Sequence, residues 1–211
     1  MIKAVIFDLD GVICSTDEYH YLAWKALADR LGIYFDRKIN ERLRGVSRMA
    51  SLDIVLERAQ KQYSDEEKLG FAEEKNAMYR SLLDEMSPND LSDDVKMTLE
   101  ALRKRGYLLA IGSSSKNTKH ILKRIGLDGF FDAVSDGTNI SRSKPDPEVF
   151  LCAASYLGVP AESCIVIEDA VAGIQAAHRG NMPAAGIGPA AEYEETEHKI
   201  TAISDLLNIL K

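Results

Sequence analysis

Short apolar runs alternate with helical patterns along most of the chain. Residues 4–7 form an uninterrupted apolar run, which is typical of a strand buried on both faces of a parallel sheet. Similar runs occur at 107–112, 131–135, 165–167 and 183–187. The segments between these later runs carry apolar residues at helical spacing, and most of them end at a glycine. This alternation predicts an α/β fold built on a doubly wound parallel sheet.

The stretch from 15 to 83 shows a different pattern, with helical spacing throughout and no strand candidate. Within it, Ser64 and Glu67 form a capping box that begins a long helix. We therefore expect two domains. Residues 1–14 and 84–211 form the α/β core, and residues 15–83 form an all-helical cap domain inserted after the first strand. The tail from 202 to 210 predicts a last helix.

Composition narrows the class of protein further. No apolar run approaches the roughly 20 residues that span a bilayer, and the N-terminus lacks the layout of a signal peptide. A net charge of −7 argues against nucleic acid and anionic membranes as partners. The three cysteines have no metal-like spacing, which is typical of reduced thiols in a cytoplasmic protein. We also expect a monomer, because no apolar surface stripe is evident.

Polar side chains follow several of the predicted strands. Asp8 and Asp10 end the first strand, two residues apart and therefore on the same side of it. Ser113 follows the strand at 107–112, Lys144 precedes a helix, and the acids Glu168 and Asp169 follow the strand at 165–167. Ligands of open α/β sheets bind at the carboxyl ends of the strands, so these groups can meet in one place. Taken singly, each is also typical of a turn, a solvated surface or a helix N-terminus.

In this order, the acid pair, hydroxyl, lysine and second acid pair resemble the four motifs of the haloacid-dehalogenase-like (HAD-like) phosphotransferases, and the resemblance spans nearly the whole chain. It implies a HAD-like Rossmannoid core in which Asp8 is the nucleophile that forms an aspartyl phosphate. It implies that Asp10 protonates the leaving oxygen and deprotonates the attacking hydroxyl. One Mg²⁺ would be bound by Asp8, Asp169 and the Asp10 carbonyl, with Glu168 supporting.

The resemblance also assigns the groups that hold the transferring phosphate. Ser113 and nearby backbone N–H groups, including that of Ser114, would bind its oxygens, and Lys144 would neutralise the remaining charge.

Several shorter stretches resemble more narrowly the hexose phosphomutases of this family. They are 8–13, 18–20, 23–27, 45–48, 51–52, 75–76 and 113–117. The resemblance implies an isomerase that interconverts β-D-glucose 1-phosphate and D-glucose 6-phosphate through bound β-glucose 1,6-bisphosphate. Such a reaction needs a second phosphate site, for which the resemblance implies Arg48 with Ser115, Lys116 and Asn117. The residues implied for the sugar side are His20, Trp24, Gly45, Val46, Ser47, Ser51 and Lys75.

Alternatives stay open at this stage. His20 could be an ordinary polar residue on a helix, and Trp24 could serve packing alone. Ser15 stands where the family commonly has an acid, which could alter movement of the cap. The nearest rival function is a Mg²⁺-dependent sugar-phosphate phosphatase, which differs in whether water reaches the phosphorylated Asp8. A more remote rival is a non-catalytic phospho-acceptor module, which would need neither the insert nor Asp10.

Overall fold

The computed structural model describes residues 1–43 and 47–210. It divides the chain into two compact units. Met1–Ser15 and Ser87–Lys211 form the first, here called the core unit, and Thr16–Met86 form the second, the insert unit. The second boundary falls three residues later than the sequence suggested. The reason is that Asp84 and Met86 donate backbone hydrogen bonds to carbonyls of the helix before them, Arg80 and Leu83 among them.

The described part of the insert unit is helical. Its helices are α1 (Asp17–Arg30), α2 (Arg37–Glu41), α3 (Arg48–Leu56) and α4 (Asp65–Leu83). The predicted capping box is present at the start of α4, where Ser64 and Glu67 bond each other's backbone N–H groups. Helices α1, α3 and α4 bury a common apolar cluster that includes Trp24, Leu52 and Ala72. This cluster is a core of the insert unit's own.

The core unit is built on one six-stranded sheet whose neighbouring strands all pair in parallel. The strands are β1 (Ala4–Phe7), β2 (Leu108–Gly112), β3 (Ala133–Ser135), β4 (Cys164–Glu168), β5 (Ala184–Gly186) and β6 (His198–Lys199). Their spatial order is β3-β2-β1-β4-β5-β6. The predicted doubly wound parallel sheet is confirmed. Strand β6 was not predicted, because two residues are too few to show a periodicity.

The helices of the core unit lie before, between and after its strands. They are α5 (Asp93–Lys104), α6 (Thr118–Arg124), α7 (Glu148–Leu157), α8 (Val171–Arg179) and α9 (Leu206–Ile209). The last of these is shorter than the helix predicted over 202–210, because a 3₁₀ turn at Ile203–Asp205 takes up the first part of that segment. None of the helices described in the two units is both long and apolar enough to cross a membrane.

Strand β1 lies in the middle of the sheet, between β2 and β4. All four of its residues are fully buried, which explains its uninterrupted apolar run. Phe7, its last residue, is in register with Ile111 of β2 and Ile167 of β4. The residues that follow these three positions therefore emerge at one edge of the sheet, which is the edge that carries the site.

Candidate active site

Asp8, Lys144 and Glu168 form a buried charged cluster at the carboxyl end of β1 and β4. The Lys144 ammonium donates to Asp8 Oδ1 and to Glu168 Oε1. The side chains of all three are at least nine-tenths buried. Glu168 is fixed further by Ala170, whose backbone N–H donates to Oε2 at 2.8 Å. The structure thus brings the predicted lysine onto one acid from each of the two predicted pairs.

The charge balance of this cluster sets the protonation of Lys144. Burial alone would lower the pKa of its ammonium, but the Asp8 and Glu168 carboxylates raise it above its ordinary value. Its Nζ also lies 4.7 Å from the centroid of the Phe150 ring, a further contact that favours the cation. Lys144 is therefore a permanent positive charge in the site.

One lysine does not neutralise the four acids at this edge. The pKa of Asp8 is raised to about 7, mainly by burial and also by Glu168 and Asp10, against the lowering effect of Lys144. The pKa of Asp169 is raised to about 8, again mainly by burial and also by Glu168, Asp8 and Asp10, against the lowering effect of Lys144. These mutual effects place Asp10 and Asp169 in the electrostatic field of Asp8, as the sequence predicted. The site carries more buried negative charge than its own lysine compensates.

This charge imbalance fits a divalent cation held by hard oxygen ligands. Asp8, Asp10, Glu168 and Asp169 offer only carboxylate and carbonyl oxygens, the ligand type that Mg²⁺ prefers. Within the described residues, however, no three acidic, histidine or cysteine side chains already converge on one metal position. The donor chemistry fits Mg²⁺, and binding would require the carboxylates to turn toward a common point.

Two glycines make room for the acids. Gly11 has φ of +84°, which glycine adopts at little cost, and a side chain there would overlap the Asp169 carboxylate. A side chain at Gly173, in the first turn of α8, would overlap the Glu168 carboxylate in the same way. The sequence analysis assigned neither role, because the close approach of Gly11 to Asp169 and of Gly173 to Glu168 exists only in the packed structure.

Ser113 leads the predicted phosphate-binding loop, directly after β2. It is buried, and its Oγ accepts a hydrogen bond from the N–H of Ser115 at 3.2 Å. Ser115 Oγ in turn accepts from the N–H of Asn117 at 3.1 Å. Ser114 and Lys116 are exposed, whereas Asn117 is buried. The five predicted residues therefore form one loop stiffened by its own serines.

A second loop, which the sequence analysis did not single out, supports this one. The Ser113 N–H donates to the Ser135 carbonyl at 3.0 Å, and the Gly137 N–H donates to the Ser115 carbonyl at 3.1 Å. A side chain at Gly137 would overlap the Ser114 carbonyl. The end of β3 thus holds the predicted phosphate-binding loop in place. The sequence signal available was Gly137 itself, which follows the predicted strand at 131–135.

Within the insert unit, the structure brings His20, Trp24 and Lys75 together. The Lys75 ammonium lies 2.8 Å from His20 Nδ1 and 4.8 Å from the centroid of the Trp24 ring. Trp24 and Lys75 are both 3% exposed. Burial, followed by the charges of Lys75 and Arg48, holds the pKa of His20 well below its ordinary range. Trp24 both packs in the apolar cluster and contacts the buried cation.

Arg48 opens α3 and donates from Nη2 to Asn76 Oδ1 at 2.8 Å. Burial lowers the pKa of its guanidinium below its ordinary value. Ser47 caps the same helix, where its hydroxyl accepts from the Ala50 N–H at 3.4 Å, and Ser51 is buried one turn later. The predicted residues Gly45 and Val46 lie outside the described residues.

Comparison with known proteins identifies the family. The family model described as haloacid dehalogenase-like hydrolase matches residues 2–181. This chain belongs to the haloacid dehalogenase-like hydrolase family. The resemblance first drawn from the order of the acid pair, hydroxyl, lysine and second acid pair is confirmed.

The narrower resemblance is confirmed as well. The chain is 41% identical to the β-phosphoglucomutase of Bacillus subtilis over 97% of its own length and 91% of that protein. It superposes on the crystal structure of β-phosphoglucomutase from Clostridium difficile with a TM-score of 0.90 at 41% identity, covering 98% of this chain and 93% of the other. It is also 33% identical to the fructose-1-phosphate phosphatase YqaB of Escherichia coli, over 87% of this chain and 95% of that protein.

Proposed function

We propose that the protein interconverts β-D-glucose 1-phosphate and D-glucose 6-phosphate. The observation that carries the proposal is the 41% identity to a β-phosphoglucomutase over almost the full length of both chains. The buried cluster of Asp8, Lys144 and Glu168 supports it, because phosphoryl transfer needs a positioned nucleophile surrounded by compensating charge. A sugar phosphate is accordingly the substrate class.

Asp8 would carry the phosphoryl group between two sugar oxygens. In the first step, the free hydroxyl of the sugar phosphate gives its proton to Asp10 and attacks the aspartyl phosphate, which frees Asp8 and forms the bisphosphate. In the second step, an oxygen of Asp8 attacks the other phosphorus, the bond from that phosphorus to its sugar oxygen breaks, and that oxygen takes the proton from Asp10, which regenerates the aspartyl phosphate. Lys144 holds the Asp8 carboxylate in one orientation through both steps. Asp8, Asp169 and the Asp10 carbonyl, with Glu168, would hold the Mg²⁺, which supplies charge neutralisation for the transferring group.

The second phosphate of the bisphosphate needs ligands of its own. Arg48 in the insert unit and Ser115, Lys116 and Asn117 in the core unit remain the predicted set. Arg48 suits the task because its guanidinium can bind a phosphate through two parallel hydrogen bonds. Its contact with Asn76 supports this role, because a side chain already held at one nitrogen loses less freedom on binding. His20, Trp24 and Lys75 are the predicted sugar-side groups. The monomeric state also remains a prediction.

The test follows β-glucose 1-phosphate in Mg²⁺ with a trace of glucose 1,6-bisphosphate, and it measures glucose 6-phosphate and free phosphate together. We expect glucose 6-phosphate to form without matching release of phosphate. Release of phosphate without formation of glucose 6-phosphate would establish the phosphatase alternative. This alternative is tested because the chain is 33% identical to a fructose-1-phosphate phosphatase. The same assay with fructose 1-phosphate would then identify the substrate.

Asp10→Asn tests the catalytic assignment. Turnover should fall by about 10²–10⁴-fold, the usual contribution of a general acid–base group. The matched control is Asp128→Asn, the same substitution at an exposed position of the core unit. A non-catalytic phospho-acceptor would show no turnover in the wild type or in the Asp10→Asn variant, and the variant would still take phosphate from acetyl phosphate. That outcome would refute the enzymatic proposal.

A further inference from the structure

Tyr79 is a buried tyrosine of α4 that contacts the predicted sugar-side residues of the insert unit. It is 1% exposed. Its ring stacks on the His20 ring with centroids 4.1 Å apart and an interplanar angle of 26°. Its centroid lies 4.5 Å from Lys75 Nζ. The sequence analysis did not assign Tyr79 to the site.

The Lys75 ammonium lies between two aromatic faces, those of Tyr79 and Trp24. A lysine held in this way away from water is stabilised in its charged form by both rings. An ammonium has three donors and no acceptor. Lys75 therefore donates to His20 Nδ1, which lies 2.8 Å away.

This hydrogen bond decides the tautomer of His20. A neutral imidazole whose Nδ1 accepts carries its proton on Nε2. Burial and the nearby charges of Lys75 and Arg48 keep the ring neutral by holding the pKa of His20 well below its ordinary range. In this tautomer the His20 ring carries one N–H donor, the Nε2–H group.

We propose that Tyr79 is a positioning residue that holds His20 in this tautomer, through its stacking on the imidazole and its contact with the Lys75 ammonium. This inference rests on the proposed function, because it takes His20 as one of the predicted sugar-side groups. Lys75 and Tyr79 lie four residues apart on α4, which places them on one face of the helix. Moving the ring of Tyr79 would therefore release Lys75 and His20 together.

The hydroxyl of Tyr79 adds a second anchor. It donates to Thr16 Oγ1 at 3.0 Å, and the Thr16 carbonyl accepts from the His20 N–H at 3.0 Å. Thr16 is the residue at which the chain enters the insert unit from the core unit. Tyr79 thus fixes the ring of His20 from one side and the start of its helix from the other.

Tyr79→Leu and Tyr79→Met remove the aromatic face, and Tyr79→Phe removes only the hydroxyl. The methionine variant is included because its flexible side chain fills a buried space that leucine would leave partly empty. Tyr63→Leu is the matched control. Tyr63 also lies in the insert unit, with Lys61 Nζ 4.7 Å from its ring and Phe71 packed edge-on at 5.0 Å, but it contacts none of the predicted site residues in the described structure.

The first readout is the ¹⁵N signal of the His20 imidazole in the free protein, which reports which ring nitrogen carries the proton. We expect protonated Nε2 and unprotonated Nδ1 in the wild type, in Tyr79→Phe and in Tyr63→Leu. In Tyr79→Leu and Tyr79→Met we expect averaging of the two tautomers. The wild-type pattern retained in both of these variants would overturn the proposal.

The second readout is steady-state kinetics. In Tyr79→Leu and Tyr79→Met, kcat/KM for β-glucose 1-phosphate should fall by about 30-fold, the factor expected for a desolvated cation–π contact. A small aryl phosphate has no sugar for the sugar-side residues to contact. The loss of kcat/KM for its hydrolysis should therefore be smaller than the loss for β-glucose 1-phosphate by a factor of at least about ten. Equal losses on the two substrates would mean a structural role only and would overturn the proposal. A wild type with no mutase activity would refute the proposed function, while the tautomer measurement would still decide the role of Tyr79.

Discussion

At the scale of single residues, Lys144 supplies the positive charge of the buried cluster with Asp8 and Glu168. Taken alone in the sequence, a lysine before a helix is more often a solvated surface residue. In the structure its side chain is 8% exposed and bonds two carboxylates. We therefore expect its loss to affect stability as well as turnover, because removing it leaves two buried acids without their cation.

Lys144→Met keeps the length of the side chain and removes the charge. We expect loss of turnover and a decrease in the free energy of unfolding of roughly 3–5 kcal/mol, the usual cost of breaking a buried ion pair from one side. Lys144 lowers the pKa of Asp8, which is about 7 in the wild type, so the loss of Lys144 raises that pKa further. Above pH 7, Asp8 therefore stays protonated in the folded variant only, and the stability lost to this extra proton grows as pH rises. The decrease should therefore be larger at pH 8 than at pH 6.

Denaturant unfolding at the two pH values measures this difference. Lys96→Met, at an exposed position on α5, is the control and should change the free energy of unfolding by less than about 0.5 kcal/mol. An equal decrease at both pH values would contradict the assignment of the pH dependence to Asp8.

At the scale of elements, the end of β2 is packed so tightly that only glycine fits there. A Cβ atom at Gly112 would lie 2.6 Å from Phe150 Cδ1 and 3.1 Å from Ile6 Cγ2. Gly112 directly precedes Ser113, so the packing of α7 against the sheet also sets the position of the phosphate-binding loop. The sequence shows the glycine, and only the packed structure shows why it is there.

Gly112→Ala should destabilise the protein by about 1–3 kcal/mol, because the methyl group overpacks the core. It should also lower kcat/KM through displacement of Ser113. Gly70→Ala is the matched control, since Gly70 lies within α4 with open space around it, and there the change should stabilise by about 0.5–1 kcal/mol. Denaturant midpoints measure both, and a shift of the same sign in the two variants would refute the packing argument.

At the scale of the whole molecule, the acids of the site make metal-free stability depend on pH. The pKa of Asp8 is raised from 3.8 to about 7 and that of Asp169 from 3.8 to about 8. In this window the folded chain binds more protons than the unfolded chain, so the free energy of unfolding falls as pH rises. In EDTA, thermal midpoints should therefore decrease between pH 5 and pH 8.

Addition of Mg²⁺ should reverse this decrease. A ligand present at about a hundredfold excess over its dissociation constant stabilises by about 2.7 kcal/mol, and the ionised acids at pH 8 bind a cation better than the protonated ones at pH 5. The gain in thermal midpoint should be larger at pH 8 and should be lost in Asp169→Asn. A gain independent of pH, or one retained in that variant, would place the ion elsewhere.

The sequence by itself determined the parallel sheet, the helical insert and the edge of the sheet at which the acids meet. These follow from local rules: an apolar run buried on both faces forms an interior strand, and residues at the carboxyl ends of parallel strands share one edge. Asp8, Ser113 and Glu168 could be placed there because each directly follows or ends such a run. The short strand β6 escaped prediction because it carries no local pattern.

Only the tertiary structure decided which side chains touch. Lys144 reaches Asp8 across 136 residues of sequence and Glu168 across 24, and neither separation has a periodicity that predicts contact. The room that Gly173 leaves for Glu168 exists only once a helix is packed against a strand. The arrangement of Tyr79, Lys75 and His20 likewise depends on α1 and α4 lying side by side. Contacts of this kind arise from the packing of distant elements, and that packing is absent from any local stretch of sequence.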